Sequence, residues 1–389
     1  MILQALPRKI SLGLPCLALA LIAAPAAAQS YTTTLFADGL NNPRDLAFGP
    51  DGALYIAETG FMDPDVPPSG GLDFSFNGSI TQVLGGVQSR IVTGLPTIYS
   101  PTTGEITGPQ GIGFDASGTG YVAIGLGADP AGRPAGSLLG HVLTFTTGGV
   151  VTGFADVSAF EALNNPAGGP VDSNPFHIAS GAGGLFATDA GANTLSSISP
   201  TGDVSLVTTF PARFIGPPLP ESDSVPTGVT VGPDGTIYVA ELTGFPFTPG
   251  GAQIYSIAPG SSTATVFATG FTNLTDIAFG ADGDLYALSL DVDGILGPGV
   301  GGGLFRVSSS GVSETIFTDL VNPTGLTIGS DGAFYVTINS AGAPGSGQVV
   351  RISAVPEPAT WAMMIIGFGA VGVALRRSKR PARLVPQEC

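Results

Sequence analysis

NPRDLAFGPDGALYIA, residues 42–57, decides the fold, because the chain repeats it. Residues 225–240 read VPTGVTVGPDGTIYVA, 273–288 NLTDIAFGADGDLYAL and 322–337 NPTGLTIGSDGAFYVT. Looser copies stand at 108–123 (GPQGIGFDASGTGYVA) and 174–188 (NPFHIASGAGGLFAT). A fixed period specifies an architecture before any single residue does. Within each copy an alternating strand follows the Pro. A turn comes next, Asp51-Gly52, Asp234-Gly235, Asp282-Gly283 or Asp331-Gly332 in the closest copies, and then an aromatic-led strand. Asp-Gly between apolar runs is a strong hairpin signal, since Gly takes positive φ without penalty.

Working outward, each copy is followed by two further strand-like runs. Third strands begin at Ser79, His141, Thr194, Ala252, Gly303 and Gly347; fourth strands begin at Ser89, Val150, Val204, Thr265 and Glu314. The sixth fourth strand is missing at this end. YTTTLFADGL, from Tyr31, has its pattern. The reading is an all-β, six-bladed β-propeller over about 31–354, closed by its N-terminal strand so that no sheet edge stays open at the seam. No amphipathic helix is expected in this body.

Composition agrees. Charged residues make up only 11% and the chain holds 59 Gly and 33 Pro. Between Gln29 and Val355 stand 27 Asp and Glu against six Arg and no Lys, a net charge of −21. That field repels nucleic acid and anionic membrane surfaces and favours cations. Cys16 and Cys389 lie outside the body, so disulfides play no part in it.

Both ends read as addresses. Met1–Ala28 has Arg8 and Lys9, an apolar run and Ala26-Ala27-Ala28, the pattern of a cleaved signal peptide. At the other end Ala359–Leu375 is apolar and long enough for a thin bilayer crossing, with a basic cluster directly after it. The expected division is signal peptide 1–28, propeller 29–354, sorting segment 355–383 with a transmembrane helix, and tail 384–389.

In a propeller the first strand starts and the second ends on one face, which also carries the loops from second to third strand. Those loops are long here: Thr59–Gly78, Gly125–Gly140, Thr243–Gly251, Leu290–Gly302 and Asn339–Ser346. Binding usually resides on such loops. At the start of the first strands stand Asp45, Gly111, His177, Gly228, Asp276 and Gly325; at the end of the second, Glu58, Ile124, Asp189, Glu241, Ser289 and Ile338. Asp45, Glu58, Asp189, Glu241 and Asp276 are therefore candidate ligands for Ca²⁺ or another divalent ion, since hard oxygens repel one another until a cation joins them. The alternative is that they cap strand ends. Arg44, Gln110 and His177 are candidate ligand-binding residues on the same rim. No G-x-S-x-G elbow, body Cys or Walker motif supports acyl transfer or nucleotide chemistry, and no catalytic residue is assigned.

Two resemblances add to this. Pro356-Glu357-Pro358, Trp361-Ala362, the apolar span and the cluster opened by Arg376 and Arg377 resemble the PEP-CTERM sorting signal in its PEPxxWA form. That implies a Gram-negative bacterium, export across the inner membrane and transient anchoring. An exosortase, a membrane protease, then cuts near Pro356–Pro358, leaving the protein at the cell surface or outside. The blades resemble the NHL and gluconolactonase-like six-bladed propellers. With leader and tail, the whole chain resembles the ScyD/ScyE family, which implies an exported propeller of unsettled role. The function expected is a binding or scaffold protein of the envelope or extracellular matrix, its partner a glycan or protein. Two alternatives come from the resemblance: a metal-dependent hydrolase of the gluconolactonase type, with Glu58 at its acidic position, and a quinoprotein-like sugar dehydrogenase.

Overall fold

The computed structural model describes residues 29–62, 71–214 and 221–355. Tyr31–Val355 forms one compact unit of six four-stranded antiparallel sheets, the first sheet carrying an extra short strand. Blade 1 holds β2 (Pro43–Phe48), β3 (Leu54–Glu58), β4 (Asp73–Leu84), β5 (Val87–Tyr99) and β6 (Ile106–Thr107). Blade 2 holds β7 (Pro109–Phe114), β8 (Gly120–Ile124), β9 (His141–Phe145) and β10 (Val151–Asp156); blade 3 holds β11 (Pro175–Gly181), β12 (Gly184–Asp189), β13 (Thr194–Ile198) and β14 (Val204–Thr209). Blade 4 is β15 (Pro226–Val231) to β18 (Thr265–Phe271), through β16 (Ile237–Glu241) and β17 (Ala252–Ile257). Blade 5 is β19 (Leu274–Phe279), β20 (Leu285–Ser289), β21 (Gly302–Val307) and β22 (Ser313–Leu320). Blade 6 takes β23 (Leu326–Ile328), β24 (Phe334–Ile338) and β25 (Gly347–Ala354), and its fourth strand is β1 (Tyr31–Leu40).

The six-bladed ring closes as the sequence predicts. β1 runs antiparallel to β25, from Tyr31 opposite Ala354 to Leu40 opposite Gly347. At the inner seam the Thr324 hydroxyl bonds to the carbonyls of Pro43 (3.0 Å) and Arg44 (2.8 Å). The expected signal peptide and the span at 359–375 lie outside the described residues. Among the described residues no helix is long and apolar enough to cross a membrane.

The second strands read as continuous apolar runs because both faces of each blade are covered. Leu54 and Ile56 pack toward blade 6, while Tyr55 and Ala57 pack toward blade 2. There are six hydrophobic clusters, one at each blade junction. The repeated Asp and Tyr serve these junctions together. One oxygen of Asp51 accepts the Ala53 N–H (3.1 Å) and the other the Tyr55 hydroxyl (2.9 Å); Asp331 does the same for Ala333 and Tyr335 (3.1 and 3.2 Å). Three second-strand tyrosines meet the first-strand Phe of the next blade, edge on: Tyr55 with Phe114, Tyr238 with Phe279, Tyr335 with Phe48. Aromatic pairs prefer that geometry.

Two departures matter. A helix, α1 (Val157–Asn164), stands where none is expected. Asp156 caps it, its side chain accepting the Ala159 N–H at 2.9 Å, and Asn165 ends it in the left-handed region at φ 36°. Local capping made an eight-residue helix that hydrophobic periodicity could not announce. In blade 1, β4 starts at Asp73 and β5 at Val87, ahead of the expected Ser79 and Ser89, with bulges between Ser75 and Thr81.

Candidate functional site: a buried charged triad at the ring axis

First strands line the axis, and one repeat position, the third residue of each strand in blades 1–5 and the residue just before β23 in blade 6, alternates charged and glycine around the ring. Asp45, His177 and Asp276 come from blades 1, 3 and 5; Gly111, Gly228 and Gly325 come from blades 2, 4 and 6. The glycines are obligatory by proximity. A Cβ on Gly111 would lie 2.6 Å from His177 Cα, one on Gly228 2.6 Å from Asp276 Cα, and one on Gly325 2.6 Å from Asp45 Cα. That close approach lets the three polar side chains meet. His177 Nε2 lies 3.1 Å from Asp45 Oδ2 and 3.2 Å from Asp276 Oδ1.

Each charged residue also reaches the blade that follows. Asp45 accepts the N–H of Leu46 (2.6 Å) and, from blade 2, of Ile112 (2.8 Å). Asp276 accepts those of Ile277 (2.7 Å) and, from blade 6, of Leu326 (2.7 Å). His177 Nδ1 faces the Val229 N–H of blade 4 at 3.4 Å. Asp45 is 4% and Asp276 1% exposed. Burial pulls the imidazole down, but Asp276 and Asp45 outweigh it and hold His177 up at about 9. Burial pushes Asp276 up to about 7, against the pull of His177 and with the charge of Asp45 added.

The three groups offer ligand atoms within 4.8 Å of one another, so they were tested against the divalent ion that the gluconolactonase resemblance implies. The donor chemistry does not fit. A neutral ring that accepts at Nδ1 carries its proton on Nε2, and a charged ring carries one there too. A metal on Nε2 would leave the proton on Nδ1, which faces the Val229 N–H, a donor, and not the acceptor that a metal-bound His turns to. With His177 charged the triad carries one negative charge, and none when Asp276 keeps its proton.

The other expected site residues lie apart from it. Glu58, fully buried, takes Arg90 on both oxygens (3.1 and 2.9 Å), the Thr81 hydroxyl (2.5 Å) and the Asn41 N–H (2.6 Å). Glu241 is fully buried with an Arg213 ion pair, the Gln253 N–H (3.1 Å) and the Tyr255 hydroxyl (3.3 Å). Burial pushes Asp189 up to about 6, although the Ser173 hydroxyl (2.6 Å) and the N–H groups of Asn174, Gly191 and Ala192 bond to it. These three behave as strand-end anchors. Arg44 binds the Ile106 carbonyl (2.9 Å) and Thr59 (3.2 Å), and Gln110 donates to Asn174 (2.7 Å) across Gly125. With Arg44 and Arg213 both engaged, this rim does not fit the acidic quinone of a sugar dehydrogenase. Sequence reasoning missed the partners Arg90 and Arg213. Nothing in the sequence marks them: Arg90 and Arg213 pair with fully buried acids, while Arg133, Arg306 and Arg351 pair with the more exposed Asp156, Asp284 and Asp331.

Residues 354–380 match the PEP-CTERM protein-sorting motif. That motif implies export in a Gram-negative bacterium, C-terminal membrane anchoring and processing by exosortase, a membrane protein. The fold is similar to that of a Xanthomonas campestris gluconolactonase, at 11% identity and TM-score 0.54 over 84% of this chain and 91% of that one. It is also similar to the PQQ-bound aldose sugar dehydrogenase of Streptomyces coelicolor, at 13% and 0.53 over 85% and 100%. A streptogramin B lyase gives 14% and 0.50 over 85% and 100%. At these identities the likeness is one of fold alone. No curated protein matches the sequence.

Proposed function

We propose that the protein is an exported, exosortase-processed propeller that works by binding, as a scaffold of the envelope or extracellular matrix. One observation carries this reading: the sorting motif begins at residue 354, where β25 ends and the ring is already closed. Cleavage near Pro356–Pro358 would release an intact ring, in keeping with the ScyD/ScyE-like order of leader, propeller and tail. Binding would use the long-loop face, since the axis is filled by groups that satisfy one another. Replacing Pro356-Glu357-Pro358 by alanines should leave a full-length, membrane-retained protein; unchanged processing would refute the sorting half. Co-sedimentation of the released propeller with exopolysaccharide or envelope fractions tests the other half, and no retention in either refutes it.

A hydrolase of the gluconolactonase type is the second reading: Asp45, His177 and Asp276 converge, but the His177 ring would have to give up its present hydrogen bonding before a metal could enter. It requires metal-dependent lactone hydrolysis that disappears in Asp45→Ala. No turnover with any added divalent ion would end it.

A further inference from the structure

A cavity of about 390 Å³ opens among the loops around blade 3, away from the axial triad. Its lining includes Glu161 of α1, Asp172, Glu221 and Asp223, and no Lys, Arg or His. Acidic loops are common in this chain, so the cluster alone means little. Glu161 is different: it is 3% exposed and lines the cavity. Among the described residues no donor or cation meets its carboxylate; burial, Asp189 and Asp172 all act in one direction and push it up to about 7. Asp172 repeats the anomaly, for its Oδ1 is buried without a hydrogen-bond partner. Burial raises this group as well, against one bond from the Ser173 N–H. Asp189 cannot relieve them, because its oxygens are spent on Ser173, Asn174, Gly191 and Ala192.

Buried carboxylates are ordinarily paired or ligate a metal. A buried carboxylate without a donor, Glu161, beside a half-buried one with an oxygen left unpartnered, Asp172, is an arrangement that a cation completes. We infer that this cavity is a binding site for a divalent cation of the calcium class, with Glu161 and Asp172 as its carboxylate ligands. The donor set is hard oxygen on irregular loops, which suits the flexible coordination of Ca²⁺ better than the strict octahedron of Mg²⁺, and the lining holds no His or Cys for zinc. For an exported protein the relevant affinity is that of extracellular calcium modules, a Kd of about 10⁻⁴–10⁻³ M. The site stands whether or not the binding role proposed above is correct.

The test uses the full chain, stripped with chelator and titrated with CaCl₂ by calorimetry and thermal melting. One saturable ion and a rise in Tm are expected. Glu161→Gln and Asp172→Asn should each abolish both, while melting no lower than the wild type in chelator, since each removes a buried like charge. That second measurement separates loss of a ligand from loss of the fold. A wild-type chain with neither calcium binding nor a Tm rise would overturn the site. So would calcium binding retained in the double variant, which would place the ion elsewhere. Equally tight Mg²⁺ binding would overturn the calcium assignment.

Discussion

His177 answers a local problem. Two buried carboxylates meet at the axis, and among the described residues the imidazole between them is the basic group that touches both. Its proton sets the sign of the pH dependence. The folded state holds His177 at about 9 against an ordinary 6.5, so its stabilisation is complete below about pH 6.5 and is lost as pH rises through 9. Asp276 acts in the same sense, its folded form keeping a proton up to about 7 that the unfolded chain gives up near 3.8. At the acid end Asp156 and Asp331 are held below the ordinary range, hydrogen bonds and Arg133 or Arg351 outweighing burial, and their contribution fails as pH falls. Tm in chelator should therefore peak at mildly acidic pH and fall steadily to pH 9, with a shallower slope in His177→Ala. A Tm that rises between pH 5 and pH 8 would contradict this account. His177→Ala should also cost about 3–5 kcal/mol by leaving the carboxylates uncompensated, readable by urea unfolding.

Glu58 and Asp331 both pair with an arginine, but the strands place them differently. Glu58 ends β3 with no exposure, and Arg90 reaches it from β5 across β4. Asp331 sits in an open turn, where Arg351 covers it from β25. Removing a partner from a buried charge costs about 3–5 kcal/mol, while an exposed pair contributes about 0–1. Arg90→Ala should thus lower unfolding stability several times more than Arg351→Ala; equal losses would mean that Glu58 has other compensation. The difference was not legible in the sequence. Strand identities were, because Pro, Asp-Gly and the aromatic fall at fixed offsets. Partners two strands apart were not, because bulges in β4 and β5 reset which side chains meet. The axial alternation was half legible: the column of Asp, Gly, His, Gly, Asp, Gly was visible, but only the close approach of backbones at the axis explains it. Glu161 was hidden because α1 itself was hidden.

For the molecule as a whole, closure depends on β1. Without it, β25 becomes an open edge and two junction clusters lose Tyr31, Ala37 and Leu40. A chain lacking Tyr31–Leu40 should melt lower and self-associate, and a synthetic peptide of those residues should restore the monomer on size exclusion. A truncated chain that melts like the whole would show that closure contributes little. The six blades and their closing strand were legible because hydrophobic runs recur at even spacing. The long loops were visible only as lengths, and what they gather had to come from the structure.

For a chain exported N-terminus first, the pairing of β1 with β25 would also act as a timer. An exported chain that emerges N-terminus first offers β1 long before its partner. Joining distant segments is the slowest kind of contact to form. The last strand to cross ends at Ala354, beside the start of the sorting motif. The strand that completes the ring and the cleavage signal would therefore arrive one directly after the other. A protease that waits for the signal releases a chain that has just acquired the means to finish folding.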